Sequence, residues 1–280
     1  MTSTTPYTTK VDASDNALAL NLKELFRYKD LFWVLAYRDL RVRYAQTFLG
    51  LLWALIQPLT TLIIVSVVFG RFVKVETGGV PYPVFAVIGI SLWTYFSFVL
   101  SQSGGSVIGA QEMVKKIYFP RLVIPLSKAV VGFVDFGVAL LLLIGLFFYY
   151  RIIPSSNIVF LPLFLILTII SSLAVGIWLS ALTIRYRDFQ YVVPFFVQFG
   201  LYLTPIAYPT DIVVSNLPNW ATFLFYLNPM AGIVEGFRWS LLGGTAPMGY
   251  FWISIVFVFI LFISGLYYFR KIERVMADII

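Results

Sequence analysis

Along the chain, apolar residues fall into long uninterrupted runs separated by short clusters of charge. A helix needs about 20 mostly apolar residues to cross the roughly 30 Å hydrocarbon layer of a bilayer. Five runs meet that length cleanly: Leu51 to Gly70, Val84 to Ile108, Leu122 to Tyr150, Ile158 to Ile184 and Tyr250 to Phe269. Pro58 lies inside the first and predicts a kink there. Phe189 to Tyr208 is long enough to cross once more. The stretch around and beyond it is broken by Pro194, Pro205, Pro209, Pro218 and Pro229. Thr222 to Leu242 has the length of a further span, yet it holds Asn228-Pro229, Glu235 and Arg238, with Gly232 and Gly236 among them.

Ahead of the first run, residues 1–17 are polar and rich in Thr, Ser and Asp, without the apolar core and cleavage site of a signal peptide. They are predicted to be disordered. From Leu18 to Leu49 the pattern turns amphipathic: Leu22, Leu25 and Phe26 recur at helical spacing beside Lys23, Arg27 and Lys29, followed by Trp33, Arg38, Arg41 and Arg43. That pattern predicts a helix lying in the inner headgroup layer. No internal repeat or long linker divides the chain. The predicted organisation is therefore a cytoplasmic tail (1–17), an interfacial helix (18–49), one transmembrane domain (50–270) and a cytoplasmic C-terminal tail (271–280).

Composition agrees with the pattern. The chain is 60% hydrophobic and 12% charged, with a mean hydropathy of +0.90, whereas soluble domains carry about 25% charged residues. A cytosolic enzyme, a disordered chain and a secreted domain are excluded. The net charge of +7 is a topology signal instead of a nucleic-acid footprint. With six spans and the N-terminus inside, 16 of the 20 Lys and Arg residues fall on the cytoplasmic side, leaving Arg71, Lys74, Arg151 and Arg238 outside. A seventh span would carry the basic C-terminal tail outside, against the positive-inside rule. Residues 206–249 are therefore read as a re-entrant or interfacial helical hairpin entering from the outer face. Broken helices at membrane depth are tolerated where they are buried in protein or line a cavity.

Candidate chemistry is sparse. There is no Cys and no His, which removes disulfides, thiolate metal sites, a Cys nucleophile and the commonest general base. No phosphate-binding G-x-x-x-x-G-K-[ST] loop is present, so the chain has no ATPase of that type. Asp135, about half-way along the third span, is the clear intramembrane acid. It reads either as an ion site of a secondary transporter or as a group bonded to a Ser, Tyr or backbone partner at a helix interface. The short charged loop from Gln111 to Arg121 reads either as a lever on the second and third spans or as a basic anchor on anionic lipid.

Several motifs resemble one family. Arg38-Asp39-Leu40-Arg41-Val42-Arg43-Tyr44, then Leu49-Gly50-Leu51-Leu52-Trp53-Ala54-Leu55-Ile56-Gln57-Pro58, look like the entry to the first span of ABC-2 type permeases that export polysaccharides. Tyr118-Phe119-Pro120-Arg121 with Pro125, Arg185-Tyr186-Arg187-Asp188-Phe189, Thr204-Pro205-Ile206 and Leu227-Asn228-Pro229-Met230 follow in the family's order. The resemblance covers about residues 20 to 275.

The resemblance implies an all-α integral permease of the bacterial inner membrane, with six spans, both termini cytoplasmic and a homodimeric assembly. Each subunit would dock one separately encoded cytoplasmic ATP-binding subunit. ATP and Mg would bind that partner, and no cofactor this chain. Glu112, Met113, Val114, Lys115, Lys116 and Ile117 would form the coupling helix that enters the ATPase, the interfacial segment would be a gate helix, and 206–249 the re-entrant pair. The implied substrate is a polysaccharide, O-antigen or a similar glycan on a polyprenyl diphosphate lipid; teichoic acid, a smaller lipid or a drug is the alternative within the family. Arg38, Arg41 and Arg43 would bind the diphosphate in bidentate fashion, Arg41 foremost, or else bulk anionic lipid. Tyr95, Phe96, Phe98, Tyr202, Tyr208, Tyr226 and Trp239 are candidates to lie against sugar rings along a channel, against the alternative of belt or packing aromatics. Glu235 and Arg238, three apart on one helical face, are expected to pair, with gating as a further role. A membrane glycosyltransferase is disfavoured, since Asp30, Asp39 and Asp188 form no evident carboxylate pair.

Overall fold

A computed structural model describes residues 22–45, 48 and 50–279. The predicted 1–17 tail and residues 18–21 lie outside them, as does Leu49. The described residues are helical and loop, without a strand. A short α1 (Leu22–Arg27) leads into α2 (Lys29–Tyr44), and α3 (Leu52–Val65) continues as a π-helical segment, Ser66–Phe72. Two helices of 28 residues, α4 (Tyr82–Gly109) and α6 (Val123–Tyr150), flank the six-residue α5 (Gln111–Lys116). A 3-10 turn, Ser156–Phe160, opens α7 (Leu161–Arg185), and α8 is Phe189–Leu203. Three short helices follow, α9 (Thr210–Asn216), α10 (Asn219–Tyr226) and α11 (Ala231–Leu242), before the long α12 (Phe251–Ile279).

Five of these segments are long and apolar enough to cross a membrane: Leu52–Phe72, Tyr82–Gly109, Val123–Tyr150, Ser156–Arg185 and Phe251–Met276. The chain is a multi-pass membrane protein. Each segment agrees with a predicted run to within a few residues at its start. Two ends differ. The expected span from Phe189 to Tyr208 stops at Leu203, so α8 has 15 residues and a length of about 22 Å, short of the hydrocarbon thickness. The cause is Pro205, whose ring disfavours helical backbone at the preceding residue; Thr204 is extended, with φ −90° and ψ 141°. The last helix runs the other way, past Phe269 to Ile279. Residues 271–279, expected to belong to the cytoplasmic C-terminal tail, are helical and continuous with the span.

Helix α4 is the centre of the bundle, buried along most of its length among α3, α6, α7, α8 and α11. Helix α3 is peripheral, with only Ala54, Pro58 and Leu62 buried. In lipid, helices gain little by hiding apolar surface from one another, so small residues that allow close approach set the packing. At the α4–α7 crossing a Cβ on Gly176 would come within 2.9 Å of Ser103 Cβ. Several buried hydroxyls bond carbonyls of their own helices: Ser91 that of Val87 at 2.6 Å, Thr168 that of Phe164 at 2.7 Å and Thr183 that of Leu179 at 2.7 Å.

Candidate functional site

Helix α2 packs along α6, burying Leu35 and Ala36. Asp39 and Arg43 stand one turn apart on that face of α2, and α6 meets them with Lys128 and Asp135. The signs cross over: the acid of α2 meets the base of α6, and the reverse. Lys128 Nζ donates to Asp39 Oδ2, while Arg38 donates to Asp39 Oδ1 through Nε at 3.0 Å and Nη2 at 2.9 Å. Arg43 Nη2 donates to Asp135 Oδ2 at 2.5 Å, and the Tyr44 hydroxyl donates to Asp135 Oδ1. Arg43 Nε also donates to the Tyr44 hydroxyl at 3.1 Å, and the Phe98 ring centroid lies 4.3 Å from the guanidinium carbon.

Asp135 therefore answers one open question: it sits at a helix interface, bonded to a Tyr as one expectation had it, and to an Arg that no expectation named. The three arginines expected to act together are in different situations. Arg43 is engaged by Asp135 and Arg38 by Asp39, while Arg41 is exposed over the Tyr37 ring, with no ion pair among the described residues. The seam was legible only in halves. Acid and base at i, i+4 on one helix and base and acid at i, i+7 on another are a matching signal, but the two halves lie about 90 residues apart and only the packing of α2 on α6 brings them together.

The loop from Gln111 to Arg121 has an amphipathic start. Met113 and Val114 pack on the core, whereas Glu112, Lys115, Lys116 and Ile117 are exposed. Glu112 and Lys116 form an open pair at 3.7 Å. The segment after α5 is tied on two sides. Tyr118 donates to Glu24 at 3.3 Å and its carbonyl accepts from Tyr28 at 3.4 Å, which links it to α1. Burial, and then the Glu24 carboxylate, push the Tyr118 phenol up. The Arg121 backbone N–H donates to Glu273 Oε1 at 2.9 Å, and Arg270 holds Oε2 at 2.9 Å, which links the loop to α12.

The opposite end of the bundle is a knot around the end of α8. Arg238 on α11 is buried and donates to the carbonyls of Pro205 at 2.6 Å and Ile206 at 2.7 Å, with a longer bond to Phe85 at 3.3 Å. Its guanidinium carbon lies 3.5 Å from the Phe85 ring centroid. Gly89 makes room for this, because a Cβ there would lie 2.9 Å from Ile206 Cα and 3.0 Å from Arg238 Nη2. Asn228 donates to Thr204 Oγ1 at 2.9 Å and accepts from the Met230 N–H at 3.0 Å, binding the turn that contains Pro229 to the break. Arg238 thus does not pair with Glu235; the carbonyls freed where α8 breaks take the guanidinium, and Glu235 accepts from the Tyr226 hydroxyl at 2.7 Å.

The aromatics expected along a channel divide. Tyr95 is buried between α4 and α6, donating to the Ala129 carbonyl at 3.2 Å, and Tyr226 is buried on Glu235. Both are closed off from a passing sugar by their own neighbours. Phe98 supports Arg43, and Trp239 packs on Phe160. Phe96 lines an apolar cavity of about 450 Å³ with Trp93, Phe196 and Pro229. Tyr202 is exposed, and Tyr208 donates to its carbonyl at 3.0 Å.

The family described as ABC-2 type transporter matches residues 30–242. The chain belongs to this family. It is 31% identical over 263 residues to an O-antigen export system permease protein, RfbA, of Klebsiella pneumoniae, covering 93% of this chain and 97% of that one. A protein of the same name from Myxococcus xanthus is 25% identical over 217 residues, 78% of this chain and 82% of the relative. The polysialic acid transport protein KpsM of Escherichia coli is 24% identical over 248 residues, 85% and 92% of the two chains. In this ABC-2 family member the motifs that carried the resemblance sit at joints between elements. Arg43-Tyr44 joins α2 to α6, Tyr118 to Arg121 joins α5 to α1 and α12, and Thr204-Pro205 and Asn228 to Met230 form the knot at the end of α8.

Proposed function

We propose that this chain is the membrane subunit of an ATP-driven exporter that moves a polysaccharide, O-antigen or a similar glycan on a polyprenyl diphosphate lipid, from the cytoplasm across the bacterial inner membrane. Two copies form the path and two cytoplasmic ATP-binding subunits, which hold ATP and Mg, drive it. The observation that carries this reading is the similarity over almost their whole length to permeases named for O-antigen and polysialic acid transport. In the proposed topology both termini are cytoplasmic, α8 serves as a short fifth span, and 206–249 form the re-entrant hairpin above it. Helices α1 and α2 act as the gate helix and α5 as the coupling helix. Exposed charge on α5, between two long spans, supports the last assignment, because a partner that pushes there moves both.

The charged face of α2, with Arg38, Arg41 and Arg43, is the proposed diphosphate site, and exposed Tyr202 and half-buried Phe98 and Tyr208 are the remaining aromatics available to a glycan. The test is reconstitution into vesicles with and without a cognate ATP-binding subunit. Export of the lipid-linked glycan is expected only with ATP and that subunit. Transport without it, driven by an ion gradient and abolished by Asp135→Asn, would overturn the reading in favour of an ion-coupled transporter.

A further inference from the structure

Asp135 has an unusual set of partners. Both its oxygens are taken by the last two residues of α2, Arg43 at 2.5 Å and Tyr44, with the Phe98 ring supporting the guanidinium. A guanidinium, a phenol and an aromatic floor around two anionic oxygens form a donor set that suits a phosphate as well as a carboxylate, because Arg matches both in bidentate geometry. The Arg43 side chain is 33% exposed while that of Asp135 is 5% exposed, so the guanidinium has an open side and its present anion comes from within. Around it the seam holds four cations, Arg38, Arg41, Arg43 and Lys128, against two acids, Asp39 and Asp135. The surplus positive charge draws a further anion.

We propose that Asp135 is an internal stand-in for the substrate's diphosphate: it fills the Arg43–Tyr44 site at rest, and an arriving diphosphate takes Arg43 from it and releases the end of α2 from α6. This rests on reading the seam as the lipid-diphosphate site. The Asp39–Lys128 pair, one turn earlier on α2, stays in place and serves as the pivot. Helix α3 begins at Leu52, only a few residues beyond Tyr44, and has few buried side chains, so the released turn can carry this peripheral helix with it. A ligand shifts such an equilibrium only by its differential affinity for the two states. Removing the stand-in must therefore raise the apparent affinity for diphosphate, whereas a residue needed only for packing would lower it.

The chain has no cysteine, so Val42→Cys on α2 and Leu141→Cys on α6, both exposed, can carry one pair of spin labels per subunit, read in assemblies in which labelled chains are diluted with unlabelled cysteine-free ones. The full chain with its ATP-binding partner is placed in vesicles of fixed anionic lipid content and titrated with a polyprenyl diphosphate, a polyprenyl monophosphate serving as control. In the parent protein the label separation is expected to lengthen with the diphosphate. In Asp135→Asn it is long without ligand, and diphosphate binds about tenfold more tightly; Asp135→Glu, which keeps the charge, restores the parent's dependence on ligand. Weaker or unchanged binding in Asp135→Asn with unmoved labels overturns the proposal. So do parent labels that stay in place at saturating diphosphate, a result independent of whether the Asn variant folds. If Arg38→Gln, Arg41→Gln and Arg43→Gln all bind diphosphate like the parent, the site reading itself fails, whatever Asp135 does.

Discussion

Two arginines of this chain, one in the knot at the end of α8 and one in the α2–α6 seam, differ in what holds them. Arg238 is enclosed and bonded to neutral backbone carbonyls, a set of acceptors supplied by a broken helix and a neighbouring one. Arg43 is partly open and bonded to a carboxylate on another helix. A cation on backbone carbonyls has nowhere else to go, since withdrawal leaves those carbonyls unsatisfied and the charge unpaired in a medium that solvates neither. A cation on a carboxylate can be taken by another anion. The knot at the end of α8 is therefore a fixed staple and the α2–α6 seam an exchangeable contact.

The sharpest way to break the comparison is Arg238→Ala. At least two backbone carbonyls lose a charged donor at about 1.5–3 kcal/mol each, so a loss of about 3–6 kcal/mol is expected, read as a fall in thermal unfolding temperature in detergent. Arg238→Lys should recover only part of it, because an ammonium lacks the planar fork. If the Ala variant unfolds like the parent, the staple is not structural.

Gly89→Val attacks the same knot from α4. The added Cβ meets the Ile206 backbone, which cannot move without dragging the end of α8, and overpacking of this kind costs about 1–3 kcal/mol. Protease sensitivity of residues 204–210 should rise in step. At the seam the balance reverses. Arg43→Gln should cost about 1–2 kcal/mol of stability but about tenfold in export, measured as glycan delivered per ATP hydrolysed. Equal losses at both sites in both assays would erase the distinction between staple and exchangeable contact.

The smallest effect on stability is expected at α5. Exchanging Glu112 and Lys116 preserves an exposed pair worth about 0.3–0.5 kcal/mol, so unfolding should be unchanged. Binding of the ATP-binding subunit should nonetheless weaken, since the charges that face it are transposed. Co-purification of the two subunits checks this, and undiminished binding would remove α5 from the docking surface.

Much of the fold was readable along the chain because the bilayer imposes one length on every crossing helix. The spans that contain α4, α6, α7 and α12 start within a few residues of the long apolar runs. The ends were less legible. Thr204-Pro205 ends α8 early; the proline carries that signal within a mostly apolar stretch of spanning length. At α12, Glu273 pairs with Arg270 at i, i+3 and accepts from the Arg121 N–H, so the helix gains by continuing beyond residue 270.

The candidate site divides in the same way. The amphipathic charge of α2 and the isolation of Asp135 are properties of local sequence, and so is the exposed helical turn of α5. Which groups meet is not. Glu235 and Arg238 share a helical face and could have paired, but the break in α8 brings in carbonyls that compete for the guanidinium. Tyr95 and Tyr202 look alike in sequence, and only packing makes one a buried strut and leaves the other exposed. The sequence by itself determined that this chain spans a membrane, where the long helices run and that its chemistry is sparse, because those follow from hydrophobic length and residue type. Only the tertiary structure decided which arginine is locked and which can exchange its anion, because that depends on acceptors more than 30 residues away in the chain.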